Sequence, residues 1–256
     1  MVVGVLGGTG QAGGATVAEL RRRGHRAIVL SRRPPEEGGE HRPADVESGV
    51  GLAFAMCGLD AVVETLNGPP GVLVWGAERA LAAARAAGVG HVVSLSAAGA
   101  GRTPHAYYRA KAEQEEVVRD AGVPWSIVRA AQFHSLLDEL FAVAARRGVM
   151  PLVRAPVEPV DVAEVAAALA DRVEDGPDEA VTALAGPHVE RLDHLVRHWA
   201  RARRVRRLPL VIPSAGPLLQ AVRDGALLDP APRRAGLSFA DWLEHGPVRH
   251  RLAVAA

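Results

Sequence analysis

Along the first half of the chain, short runs of aliphatic and β-branched residues alternate with longer segments whose apolar positions recur at helical spacing. The runs at 2–6, 27–31, 60–66, 91–96 and 125–129 read as strands, and the segments at 11–23, 48–57, 73–87 and 107–121 as helices. Gly24, Gly58, Gly88 and Gly122 each follow a helical segment, where a left-handed cap is favoured. Arg21, Arg22 and Arg23 fall in a last turn, where positive charge complements the helix dipole. Another helix is predicted after Gln132, closing by Gly148 and Pro151. The pattern then loosens: Asp161 caps a helix through Val173, 181–184 reads as a strand and 191–202 as a helix, and Pro209, Pro213, Pro217, Pro230 and Pro232 break the remainder into short pieces. Strand and helix in alternation predict the α/β class, a doubly wound parallel sheet over 1–155 with a smaller substrate-side lobe over 156–256 packed on it as one structural unit.

Composition narrows the functional classes. The chain has 256 residues, 48% hydrophobic and 23% charged, which is the make-up of a folded, enzyme-sized domain. A formal net charge of +1 provides no field for nucleic acid or an anionic membrane, so a small-molecule partner is expected. No long apolar window is free of charge; the Ala-rich stretch around Leu81 carries Glu78, Arg79 and Arg85. The chain opens directly into an apolar run and has one cysteine, Cys57, from which a reducing cytoplasm is expected. Lys111 is the sole lysine, leaving 29 arginines to carry the rest of the basic charge.

The opening segment VVGVLGGTGQAGG places Gly7, Gly10 and Gly13 at G-x-x-G-x-x-G, and Gly8, Gly10 and Gly13 at G-x-G-x-x-G, between the first strand and the first helix. Glycines there permit a tight turn and close backbone approach, so free amides at the helix start can bind a pyrophosphate. The second strand ends in Ser31, Arg32 and Arg33, at the distance where NAD-selective sites place an acidic residue. Guanidinium groups there suit a 2′-phosphate, so NADP(H) is expected in preference to NAD(H). Tyr107 and Lys111, four residues apart, lie on one helix face. A lysine so placed is expected to lower the phenol's pKa and hold the nicotinamide ribose, with Tyr107 as general acid toward a carbonyl.

The ordered set VLGGTGQAGG, HVVSLSAAGA, YYRAKAEQEEVV followed by AGVPWSIVRAAQF, and VEPVDVAEVAAAL resembles the atypical short-chain dehydrogenase/reductases of the NmrA-like group, over most of the chain. The resemblance implies a Rossmann core with the cofactor across the carboxyl ends of the strands. It implies pyrophosphate contacts at Thr9, Gly10, Gln11 and Ala12, 2′-phosphate contacts at Arg32 and Arg33, adenine contacts at Asp45 and Val46, and Leu66, Asn67 and Gly68 along the middle of the cofactor. Ser96 and Lys111 would flank the nicotinamide. Reductases of this superfamily usually add a serine or threonine to bind the substrate carbonyl, where this chain has Ala97. Either Ser96 takes that role, or the contact is missing, at a loss of about 10²–10³ in rate.

Gln132, Phe133 and His134 follow a strand at the end of the sheet where ligands bind, and are candidates for orienting substrate. His188, His194 and His198 lack a partner of metal-ligand spacing, so no metal is expected. Arg201, Arg203, Arg204, Arg206 and Arg207 read as a solvated helix end, and Trp199 and Trp242 as core. The leading expectation is an NADPH-dependent oxidoreductase acting on a small apolar carbonyl, quinone or conjugated alkene. The alternatives are an NADP(H)-binding sensor without turnover, and an isomerase or dehydratase using the cofactor transiently.

Overall fold

The five apolar runs of the first half lie side by side in the computed structural model, which describes residues 1–36, 38–206, 208–211 and 216–245. That half contains β1 (Val2–Leu6), α1 (Gln11–Arg22), β2 (Arg26–Ser31), β3 (His41–Pro43), α2 (Leu52–Met56), β4 (Ala61–Glu64), α3 (Pro70–Ala86), β5 (His91–Ala97), α4 (Ala106–Asp120) and β6 (Trp125–Ala130). There follow α5 (His134–Arg146), β7 (Val149–Leu152), β8 (Pro156–Val157), α6 (Val162–Asp175), β9 (Val181–Ala185) and β10 (Glu190–Arg191). The described chain is completed by α7 (Leu192–Ala202), β11 (Leu208–Val211), α8 (Pro217–Arg223), β12 (Arg233–Arg234) and α9 (Phe239–His245).

The main sheet runs β12-β9-β6-β5-β4-β1-β2-β3, with every neighbouring pair parallel. From β1 the chain winds outward through β2 and β3, then crosses over to β4 and winds the other way. This is the Rossmann-like doubly wound α/β architecture, and the reversal between β1 and β4 opens a crevice at the strands' carboxyl ends. Helices α1 and α6 cover one face, where Val3, Val5, Val63 and Val93 pack against Val17, Leu20, Val165 and Leu169. On the other face Leu6, Ile28, Leu30 and Val62 meet Leu52, Met56, Leu73 and Ala80 of α2 and α3. A separate aromatic cluster of Phe141, Trp199, Phe239 and Trp242 forms the core of the lobe.

Several boundaries differ from the sequence pattern for identifiable reasons. Gly49 and Gly51 both have positive φ, which stops a helix from starting at Ser48 and leaves α2 only five residues long. Helix α3 starts earlier than its apolar pattern, because Pro70 is accepted in a first turn. Strand β3 has no apolar run and is held to β2 by its backbone ladder and by His41 Nε2, 2.9 Å from the Ser31 carbonyl oxygen. Elements on either side of residue 155 pack together. Strand β9 extends the main sheet from β6 and α6 lies on α1, while α5 and β7 contribute Leu137, Phe141, Met150 and Leu152 to the lobe core. Arg23 fastens α1 to α6 through Asp171 and Glu174 at 2.9 and 2.7 Å. Asp161 caps α6 by accepting the Ala163 amide at 3.1 Å. Pro213 and Arg207 lie outside the described residues. No described helix is long and apolar enough to cross a membrane.

Two buried imidazoles make the fold sensitive to acid. His91 Nε2 lies 3.0 Å from Ser126 Oγ, whose proton goes to Asp178 at 2.7 Å. His91 therefore donates from Nε2, and its Nδ1 is left without a partner, as is that of His134. Burial pushes both imidazoles below the ordinary value of 6.5. The unfolded chain then binds more protons than the folded one around pH 6, so this contribution to stability is whole above pH 6.5 and is lost as pH falls toward the depressed values. The urea midpoint is expected to be level between about pH 7 and 8 and to fall below about pH 6.5, and His91→Gln should flatten part of that fall.

Candidate active site

The turn between β1 and α1 is built by close backbone approach. Gly7 has φ +79, and a Cβ at Gly13 would collide with the Gly7 carbonyl oxygen and the Thr65 hydroxyl. Helix α1 thus sits directly on the ends of β1 and β4. Its opening amides at Gln11, Ala12 and Gly13 have no intrahelical acceptor, no side chain caps Gly10, and the first turn carries no acidic residue. Gln11 donates to Ser135 Oγ, which ties the turn to the start of α5.

Two clefts meet over this turn. The larger, about 690 Å³, brings together Gly7, Thr9, Gly10, Arg32, Arg33, Asp45, Val46, Leu66 and Asn67. The smaller, about 310 Å³, takes Gln11, Ala12, Ser96, Ala97, Tyr107, Lys111, Gln132 and Phe133, and shares Gly10, Thr65, Leu66 and Asn67 with the first. Gly13 lies beneath the turn as a spacer, and Gly68 follows in a φ +153 turn; neither lines a cleft. His134 is turned away: its Nε2 pairs with the Leu237 carbonyl at 3.1 Å and its ring packs on Phe239 and Trp242. It belongs to the lobe core and lines neither cleft.

Helix α4 presents Lys111, Gln114 and Glu115 to the sheet, all buried. Lys111 Nζ donates to the carbonyls of Leu66 and Leu95 at 3.0 and 2.9 Å. Glu64 accepts from Ser94, Gln114 and the Leu66 amide at 2.6, 2.9 and 2.7 Å. Burial pushes the Glu64 carboxyl up and the Lys111 ammonium down, and each opposes the other's shift. Ser96 Oγ donates to Glu115 at 2.6 Å, and Arg129 grips the same carboxylate with two bonds of 2.7 Å. Burial raises Glu115, but the Arg129 and Ser96 hydrogen bonds outweigh it and hold the carboxyl below the usual range. The Ser96 proton is therefore engaged on the helix side, and Ala97 offers none.

The expected drop in the Tyr107 pKa is reversed. Burial pushes the phenol up to about 12, with Tyr108 and Glu64 adding to the rise, while the Lys111 ammonium serves two carbonyls. Tyr108 meets Tyr107 edge to face at 5.2 Å; burial raises it too, and the Gln132 amide partly offsets that. Gln132 Oε1 is buried in the smaller cleft without a hydrogen-bond partner. Sequence reasoning missed Glu64, Gln114, Glu115 and Tyr108. Gln114 and Glu115 stand three and four residues after Lys111, on its own helix face, and a lone Glu ending the run AVVE was a further signal.

Glycines that admit a close turn, unpaired first-turn amides and a two-part cleft at the sheet reversal fit a dinucleotide, with the Gln132 oxygen left for a ligand donor. Such a fold and site define a dinucleotide-binding protein of the Rossmann-like class. The chain matches the NAD(P)H-binding family over residues 7–173, and it belongs to that family. A (4-alkanoyl-5-oxo-2,5-dihydrofuran-3-yl)methyl phosphate reductase of Streptomyces griseus subsp. griseus is 36% identical over 179 residues, covering 64% of this chain and 61% of that protein. In fold, the chain is similar to an NADPH-dependent quinone oxidoreductase of Escherichia coli complexed with NADPH, with TM-score 0.80 and 19% identity over 95% of this chain and 99% of that one. It is also similar to the Citrobacter sp. triphenylmethane reductase complexed with NADP(H), with TM-score 0.74 and 18% identity over 90% and 93%.

Replacing Lys111 by Met leaves Glu64 and two carbonyls without their buried cation, and should lower unfolding stability by about 3–5 kcal/mol. Urea unfolding at neutral pH measures it.

Proposed function

We propose that this chain is an NADPH-dependent reductase of small, largely apolar, conjugated acceptors: quinones, conjugated alkenes or conjugated carbonyls. The observation that carries this reading is the junction of the two clefts at Gly10, Thr65, Leu66 and Asn67, which joins the larger cleft, over the glycine turn, to a small chamber walled by Tyr107, Tyr108 and Phe133. Bound NADPH supplies a hydride there. The amides of Gln11 and Ala12 hold the pyrophosphate, and Arg32 and Arg33 take the 2′-phosphate in preference to a bare ribose hydroxyl. Lys111 keeps the Leu66 and Leu95 backbone at the chamber floor in place, while Phe133 and Leu136 supply apolar wall.

Chemistry favours a conjugated acceptor over an isolated ketone. A phenol near pKa 12 stays protonated and is a reluctant acid, Ser96 gives its proton to Glu115, and Ala97 has none to give. With such modest acid assistance the negative charge developing on the substrate is best spread over the substrate's own π-system. Tyr107 then donates the proton, and Gln132 orients the substrate through its unpaired amide oxygen or, with the amide turned, through its nitrogen. The relative's name, a reductase of a butenolide, is consistent with a conjugated alkene as acceptor. The engaged Ser96 also favours a second reading, a cofactor-binding sensor without turnover.

NADPH oxidation with a panel of quinones, enones, butenolides and simple ketones separates the two. Turnover confined to conjugated acceptors is expected, with Tyr107→Phe lowering kcat roughly a hundredfold. Tight NADPH binding with no turnover on any acceptor favours the sensor. Because the phenol titrates near 12, kcat should show no loss of general acid between about pH 6 and 9; a descending limb in that window that Tyr107→Phe abolishes rules out the raised phenol.

A further inference from the structure

The end of the larger cleft that takes the two arginines also carries two carboxylates. Arg32, Arg33, Asp45 and Glu47 all line it, and Arg32 Nη1 is paired with Glu47 Oε2 at 3.1 Å. The Ser48 hydroxyl and the Glu47 amide donate to Asp45 at 2.7 and 3.0 Å, and with Arg32 nearby they keep its carboxyl below the ordinary range, so it is ionised at neutral pH. The positive charge that the sequence places here is thus balanced within the cleft itself.

We propose that Glu47 sets the cofactor preference of this chain by competing with the 2′-phosphate for Arg32. The inference rests on the dinucleotide reading above and concerns how far NADP(H) is favoured over NAD(H). A 2′-phosphate must displace the Glu47 carboxylate from Arg32 and then remain beside it, whereas a 2′-hydroxyl finds an acceptor there. The ion pair can exchange readily because both side chains are solvent-exposed, at 70% and 57%, where such pairs are weak. Arg33, in the same cleft, has no ion-pair partner among the described residues. Discrimination is then set by one engaged and one open guanidinium, not by two open ones.

The test uses the full chain with adenosine 2′,5′-bisphosphate and AMP as probes, titrated calorimetrically, because the pair isolates the 2′-phosphate from the rest of the cofactor. Glu47→Gln is expected to tighten the bisphosphate roughly fivefold at low salt and leave AMP within about twofold, with the gain shrinking at high salt. In an Arg32→Ala background the gain from Glu47→Gln is expected to vanish. An unchanged ratio of the two affinities, an equal shift for both probes, or a gain that persists without Arg32 overturns the proposal while leaving the dinucleotide reading intact. If the unmodified chain binds neither probe, nor NADPH or NADH, the dinucleotide reading falls and this inference falls with it.

Discussion

One buried ammonium fixes the floor on which both clefts stand. Lys111 reaches from α4 to the carbonyls of Leu66 and Leu95, at the ends of two adjacent strands that flank the chamber. Those carbonyls would otherwise be buried acceptors at the point where the sheet ends and the loops begin. A compact cation with three rotatable donors satisfies them, and the Glu64 and Glu115 carboxylates offset part of its desolvation. A guanidinium, broader and with five donors in a fixed plane, would need more acceptors than this spot provides. That geometry accounts for a lysine standing alone among 29 arginines.

The same network shapes the chemistry above it. Ser94 and Ser96 alternate along β5 toward α4, where Glu64 and Glu115 accept their protons. Arg129 from β6 and Arg119 from α4 itself add guanidinium donors to the Glu115 carboxylate. The hydroxyl that the sequence offers as a substrate donor is thereby turned into a structural one. The chamber keeps two phenols whose pKa burial raises, an unpaired amide oxygen and apolar walls.

Legibility from the sequence followed the range of the interactions involved. The glycine turn, the strand and helix alternation and the Asp161 cap depend on neighbours within a few residues, and the pattern gave them with small boundary errors. The short α2 depended on two positive-φ glycines that a hydrophobic pattern does not register. His134 was misread because its partners, Leu237, Phe239 and Trp242, lie about a hundred residues further on. The place of β9 in the main sheet was illegible for a similar reason: it joins β6 by a ladder that residue types alone do not specify.

By itself, the sequence determined that strands and helices alternate, that the first turn can approach a phosphate closely, and that one lysine follows a tyrosine by a helical turn. Those are consequences of backbone conformation and side-chain period, which act locally. Only the tertiary structure decided which carbonyls that lysine serves, that burial lifts the tyrosine's pKa where proximity to a cation suggested the reverse, that Ser96 faces Glu115, and that Arg32 meets Glu47. Each of those outcomes is a balance of desolvation against partners brought together from different elements, and such a balance exists only once the chain has closed around it.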